Sequence, residues 1–165
     1  MFPTTDRISN IISDTMKVVF QRQLVDRVLR LWKEMAHQEP FPRCDQIEPA
    51  VLGVDWLNCL VIAVKSPIRL STFVHVGENL SFTHRPDESL AGVLLAHLPQ
   101  VLSKRRCLMI EGIIRLRDLD ILYRSALYPL SDDGSAIDHV LGAANYRPLR
   151  DNEASRAPFV RTNWL

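Results

Sequence analysis

The stretch 107–147 reads CLMIEGIIRLRD (107–118), LDILYRSALYPLSDDG (119–134) and SAIDHVLGAANYR (135–147), and its reading decides the fold. Each block is rich in β-branched, aromatic and leucine side chains and is bounded by turn chemistry. In the first, Leu108, Ile110, Ile114 and Leu116 alternate with Met109, Glu111, Arg115 and Arg117. The second carries Ile121, Tyr123, Ser125 and Leu127 at the same period, until Pro129 limits its ladder to an edge or an end. Asp132-Asp133-Gly134 predicts a hairpin turn in which Gly134 takes positive φ. The third strand, Ile137 to Tyr146, contains Gly142, Ala143 and Ala144, small enough to let a helix or a ligand approach closely. Three strands with hairpin-length connections make an antiparallel meander, and its apolar face needs a cover.

The rest of the chain supplies that cover. Residues 55–65, DWLNCLVIAVK, are apolar on both alternating faces, which predicts a central strand covered on each side. Ser66-Pro67 turns the chain into a second strand over 68–77. There the period predicts Ile68, Leu70, Thr72, Val74 and Val76 inward and Arg69, Ser71 and His75 outward. After the polar connection 78–86, Asp87 or Ser89 caps the apolar helix SLAGVLLAHL, and Pro99 begins a second short helix. Upstream, Asp45 caps a short helix that has Pro49 in its first turn and Gly53 at its end.

Residues 6–36 carry a helical period. Ile8, Ile11, Ile12, Thr15 and Val19, then Leu24, Val28, Leu31, Trp32 and Met35, recur at three- and four-residue steps. Thr5 or Asp6 caps this helix, Gln21–Gln23 marks a break, and Pro40 and Pro42 stop it. Its apolar stripe has two possible destinations, the core of its own chain or a second subunit. The chain therefore divides into an N-terminal helical extension (1–44), an α+β domain (45–147) and a polar, proline-containing C-terminal tail (148–165), in which Phe159 or Trp164 is the candidate anchor.

Charge and cysteine usage exclude several classes. Twenty Lys and Arg against nineteen Asp and Glu leave a net charge of +1, with no electrostatic footprint for nucleic acid or an anionic membrane. The run Lys104-Arg105-Arg106 suits a helix C-terminus. Cys44, Cys59 and Cys107 are an odd number at distant positions, so neither zinc nor a disulfide framework is expected, and a reducing cytoplasm fits. The longest apolar run, Trp56 to Val64, is too short for a bilayer span and the N-terminus has no signal-peptide core.

Two strands, a helical crossover and a three-stranded meander, preceded by a helix, is the element order of the PAS fold. The chain resembles the alphaproteobacterial PAS-like protein family through LVDRVLRLWKEM (24–35), DQIEPAVL (45–52), DWLNCLVIAV (55–64), IEGIIRLRDLDILYRSALYPLSDDG (110–134) and IDHVLGAANYR (137–147). The PLSDDG turn and the VLGA strand after it are its most specific part. The middle departs: where the family has a glycine-containing loop resembling GRDLTG, this chain has GENLSFTHRPDESLAG (77–92). The resemblance implies a PAS-like five-stranded antiparallel sheet with a helical crossover and an N-terminal amphipathic helix. It also implies a non-enzymatic bacterial sensory module that mediates ligand-dependent or constitutive protein–protein interaction. A homodimer through the N-terminal helix is expected, and a separate signalling partner, because the sequence carries no kinase, cyclase or DNA-binding segment. The cofactor is left unassigned.

The candidate side chains follow from this frame. His97 lies in the helical region from which some haem-binding PAS domains provide an axial ligand, although one histidine on an apolar helix has the simpler role of core residue. Asn58, Thr72, Tyr123, Ser125 and Asn145 are polar residues in otherwise apolar strands. They are placed to orient a small ligand between sheet and helices, or to bond a neighbouring backbone. No cysteine stands in a flavin-reactive helical motif, and no GxSxG, HExxH or phosphate-cradling glycine loop is present. Asp132 and Asp133 are explained by the turn, and Asp138-His139 by adjacency, since strand neighbours face opposite sides. A small α+β cavity enzyme would need a buried acid–base pair, for which the strands offer only Glu111. A ligand-free interaction scaffold is the remaining alternative.

Overall fold

A computed structural model describes residues 23–81, 89–116, 119–153 and 158–165 of the chain. The fold is α+β, with helix α1 (Leu24–Ala36), a short helix α2 (Pro49–Leu52), strands β1 (Cys59–Ala63) and β2 (Thr72–Val76), crossover helices α3 (Leu90–Leu95) and α4 (Leu98–Lys104), and strands β3 (Leu108–Leu116), β4 (Leu119–Leu130), β5 (His139–Pro148) and β6 (Phe159–Trp164). All pairings are antiparallel, in the spatial order β2-β1-β5-β4-β3-β6. The sheet has six strands rather than five, because part of the expected tail pairs with the free side of β3.

Two-residue alternation sends the strand side chains to two separate cores. On the inner face Leu60, Ile62, Leu108, Ile110, Tyr123, Leu127, Val140 and Ala144 pack under Leu80 and the crossover residues Leu90, Leu94, Leu98 and Val101. On the outer face Cys59, Val61, Ala126, Tyr128, Leu130, Leu141 and Ala143 meet Leu24, Val25 and Val28 of α1. Burying a leucine or isoleucine fully is worth about 1.5–3 kcal/mol, so both layers are strongly held. The described part of the N-terminal helix thus spends its stripe on its own sheet. The cap at Thr5 or Asp6, the stripe from Ile8 to Val19 and most of the expected break at Gln21–Gln23 lie outside the described residues, as does Asp87.

Local signals account for the helix ends. The Ser89 hydroxyl accepts the Gly92 N–H at 3.0 Å and caps α3. Pro99 occupies the first turn of α4, Pro49 that of α2, and Gly53 ends α2 with φ 58°. Asp45 does not cap α2; it lies in a separate 3₁₀ turn, Cys44–Gln46. Pairing of β4 with β3 stops at Leu127, two residues before Pro129, whereas pairing with β5 runs on to Leu130. Proline therefore sits where one neighbour has already ended. Gly134 takes φ 79° in the turn between β4 and β5.

Both early strands are shorter than the alternation implied. Residues Gly53–Asn58 and Ile68–Leu70 are 3₁₀ turns. In β2, His75 pairs with Val61 and Phe73 with Ile62, so Val74 is an unpaired bulge residue. That extra residue resets the phase: Phe73 and Val76 pack against the inner core, while Ile68, Leu70, Thr72 and Val74 are exposed. Among the described residues, no helix is long and apolar enough to cross a membrane.

Candidate functional site

The six candidate side chains do not converge on one cavity. Tyr123 and Ser125 point from β4 to the inner face, whereas Asn145 leaves β5 with Leu141 and Ala143 toward the outer face. Asn58 ends the 3₁₀ turn before β1; its amide donates to the Ala144 carbonyl at 3.0 Å and accepts from the Asn79 amide at 2.8 Å. Ser125 donates to the Ile110 carbonyl at 2.8 Å. Both are consumed in tying strands together. Thr72 is exposed at the start of the edge strand β2, beyond any space between sheet and helices.

The other three retain unused polar atoms. The Tyr123 hydroxyl, His97 Nδ1 and Asn145 Nδ2 are buried and find no hydrogen-bond partner among the described residues. Tyr123 is 2% exposed, burial pushes its phenol above the ordinary range, and its hydroxyl finds no acceptor among the described residues. Leaving such a group unsatisfied costs about 1–3 kcal/mol. His97 stands half-buried at the junction of α3 and α4, serving as the N-cap residue of α4 rather than lying within one continuous helix. Among the described residues, no group of three or more metal-ligating side chains includes it.

On the opposite face of the same strand, the Tyr128 hydroxyl donates to the Val25 carbonyl of α1 at 2.8 Å. Burial and the neighbouring Cys107, Cys59 and Asp26 push this phenol well above its usual range. Trp32 Nε1 donates to the Pro129 carbonyl at 2.8 Å, and the Arg27 guanidinium grips Asp55 through two bonds of 2.8 and 2.9 Å. These contacts span 103, 97 and 28 residues of sequence, and no local pattern announces any of them. Glu111, the acid considered for catalysis, lies on the outer face between Arg161 (2.7 and 3.0 Å) and Arg124 (3.3 Å).

The PLSDDG turn builds a cleft of about 410 Å³ against the end of α1, lined by Met35, Glu39, Phe41, Arg43, Asp133 and their neighbours. Its charged groups are largely engaged. The Asp133 carboxylate accepts from the Ser135 and Ala136 amides and the Ser131 hydroxyl, which holds it below the ordinary range. Asp132 accepts from the Cys44 amide at 3.1 Å. Asp138 and His139, expected to diverge, do meet: Nδ1 lies 2.8 Å from Oδ1, because Asp138 precedes the strand and is free of its alternation. Asp132, Asp138 and His139 gather their ligand atoms within 4.8 Å, but Asp138 also accepts the Asp132 amide at 2.8 Å, so the group is accounted for by the turn itself. Arg105 leaves α4 with φ 55°, covers the Phe41 ring and bonds the Ser135 carbonyl, giving the basic run a structural use. Cys59 and Cys107 are buried thiols pushed up to about 12, hence unreactive.

Comparison with family models, curated proteins and solved structures found no match to the chain.

Proposed function

We propose that the chain is a non-enzymatic PAS-type sensory or signalling module that works by protein–protein contact and dimerisation, with occupancy of the inner face as its input. The order of two strands, helical crossover and three-stranded meander supports that reading, with β6 as an addition outside it. One observation carries it: β4 presents to the inner face the Tyr123 hydroxyl, which has no partner among the described residues, and, five residues on, the Tyr128 hydroxyl that holds α1 to the outer face. A ligand that accepted the Tyr123 proton would bias the strand to which the N-terminal helix is latched, and a partner would read the helix. In this proposal the sequence 1–22, whose apolar residues Ile8, Ile11, Ile12, Thr15 and Val19 recur at three- and four-residue steps, meets a second copy or a separate signalling partner.

Other features agree with this assignment. The engagement of Glu111 by two arginines and the inert buried thiols favour binding over catalysis. The three unpaired cysteines favour a reducing cytoplasm. The second reading, a ligand-free scaffold, is favoured by the leucines that fill the inner layer.

Native mass spectrometry and an absorbance scan of the purified full chain test the proposal, together with amide exchange of α1 in wild type and Tyr123→Phe. A stoichiometric bound molecule, lost in the variant with altered exchange in α1, is the expected result. An empty protein whose α1 exchange ignores Tyr123→Phe would leave the scaffold reading. For dimerisation, Ile12→Asp is expected to lower the sedimenting mass of the full chain, and an unchanged mass refutes that role for the N-terminal segment.

A further inference from the structure

We propose that the free edge of β6 is a self-complementary docking strand for β6 of a second copy of the chain, so that two six-stranded sheets join edge to edge. This is independent of the sensory reading and of the N-terminal helix. Strand β6 pairs on one side with β3 and on the other with no strand among the described residues, and all six of its residues are exposed. An unpaired edge presents a row of backbone donors and acceptors, which proteins usually guard with proline, a bulge or a charge. The opposite edge of the sheet is guarded, since β2 is broken by the Val74 bulge. Strand β6 has no such break. Its register with β3 is unbroken from Phe159 to Trp164, and its sequence FVRTNW contains no proline. Its single charge, Arg161, is drawn back over the sheet by both contacts to the Glu111 carboxylate.

The sequence of the strand selects one partner and one register. In antiparallel pairing about a two-fold axis, opposed residues share a face. With the axis at Thr162, Val160 of each copy lies opposite Trp164 of the other, and Thr162 lies opposite Thr162. Arg161 then lies opposite Asn163 on the other face. Val160 and Trp164 are 52% and 36% exposed in the single chain, and this register covers both twice over. Aromatic with β-branched and threonine with threonine are stabilising cross-strand pairs, and no like charges meet. Moving the axis to Arg161 sets two Arg161 side chains against each other, and moving it to Asn163 sets Trp164 against Thr162 in place of Val160, so charge disfavours one shift and apolar fit the other. Gly112 of β3 keeps the docking strand in place: a Cβ there would collide with the Phe159 carbonyl oxygen, so β6 lies closer to β3 than an alanine would allow.

Sedimentation velocity of the full chain over a concentration series tests the proposal. Wild type is expected to show a concentration-dependent dimer. Thr162→Lys and Thr162→Glu, which each oppose like charges at the axis, are expected to weaken it at least about tenfold. Mixing the two variants is expected to restore association as a heterodimer. Thr162 is exposed, so circular dichroism should match wild type; if the lysine variant fails to fold, Val160→Asp takes its place and is expected to weaken the dimer likewise. A monomer at every concentration, or a dimer indifferent to these substitutions, overturns the proposal. A dimer abolished by Ile12→Asp but untouched by Thr162→Lys assigns association to the N-terminal segment and overturns this interface alone.

Discussion

The two faces of the sheet are built by different physics. The inner face is a layer of leucine, isoleucine and valine pressed under α3 and α4, and attraction there is non-directional. The outer face holds α1 with fewer fully buried side chains but adds three long-range polar contacts, from Tyr128, Trp32 and Arg27. Apolar packing sets how strongly a layer is held, whereas directional bonds set where an element sits. The protein therefore has a face that supplies stability and a face that registers a helix, and one strand, β4, serves both.

That contrast can be broken most forcefully from the inner side. Leu94 is fully buried under the crossover, and Leu94→Ala is expected to cost about 2–5 kcal/mol in a urea titration. A loss below about 1 kcal/mol would show that the inner layer is not close-packed. Asp55→Ala removes two bonds from the Arg27 guanidinium, whose side chain is 23% exposed, and about 2 kcal/mol is expected. Its signature should be local, with the amides of α1 losing protection from exchange before those of β4. Equal loss in both elements would mean that α1 is not a separately registered layer. Tyr128→Phe keeps the ring and removes one donor, so a loss of about 1 kcal/mol is expected, again read first in α1.

The smallest effect concerns the far end of β5. Arg147 binds Glu153 through bonds of 2.8 and 3.0 Å and holds its carboxyl down to about 2. A depressed carboxylate contributes stability that is present above the ordinary carboxylate range and is lost as pH falls through about 2. An NMR titration of Glu153 should show that low midpoint, and Arg147→Gln should return it to the ordinary range. An ordinary midpoint in the wild type would remove the fork from solution.

How much of this was readable in advance varies by element. The meander, the Ser89 cap, the proline starts of α2 and α4 and the Gly134 turn were legible because each depends on a few neighbouring residues. The inward face of β2 was misassigned, since period-two counting from Thr72 to Val76 cannot anticipate a bulge at Val74. Of the candidate site, the sequence picked out polar residues but not how they group. Tyr123, His97 and Asn145 carry polar atoms without a partner among the described residues, yet Asn145 faces away from Tyr123, and Asn58 and Ser125 are spent on strand carbonyls. The helix latch and the Arg161 contact to Glu111 had no sequence signal, because their partners lie far off in the chain or on the unexpected sixth strand.

By itself the sequence determined most of the elements and several of their ends, since backbone propensity, capping and turn chemistry act over a few residues. Tertiary structure alone decided that α1 covers the outer face, that 159–164 add a sixth strand to β3, and which polar groups are left without partners. Those outcomes depend on which surfaces remain open once the meander has folded, and that is a property of the assembled sheet rather than of any stretch of chain.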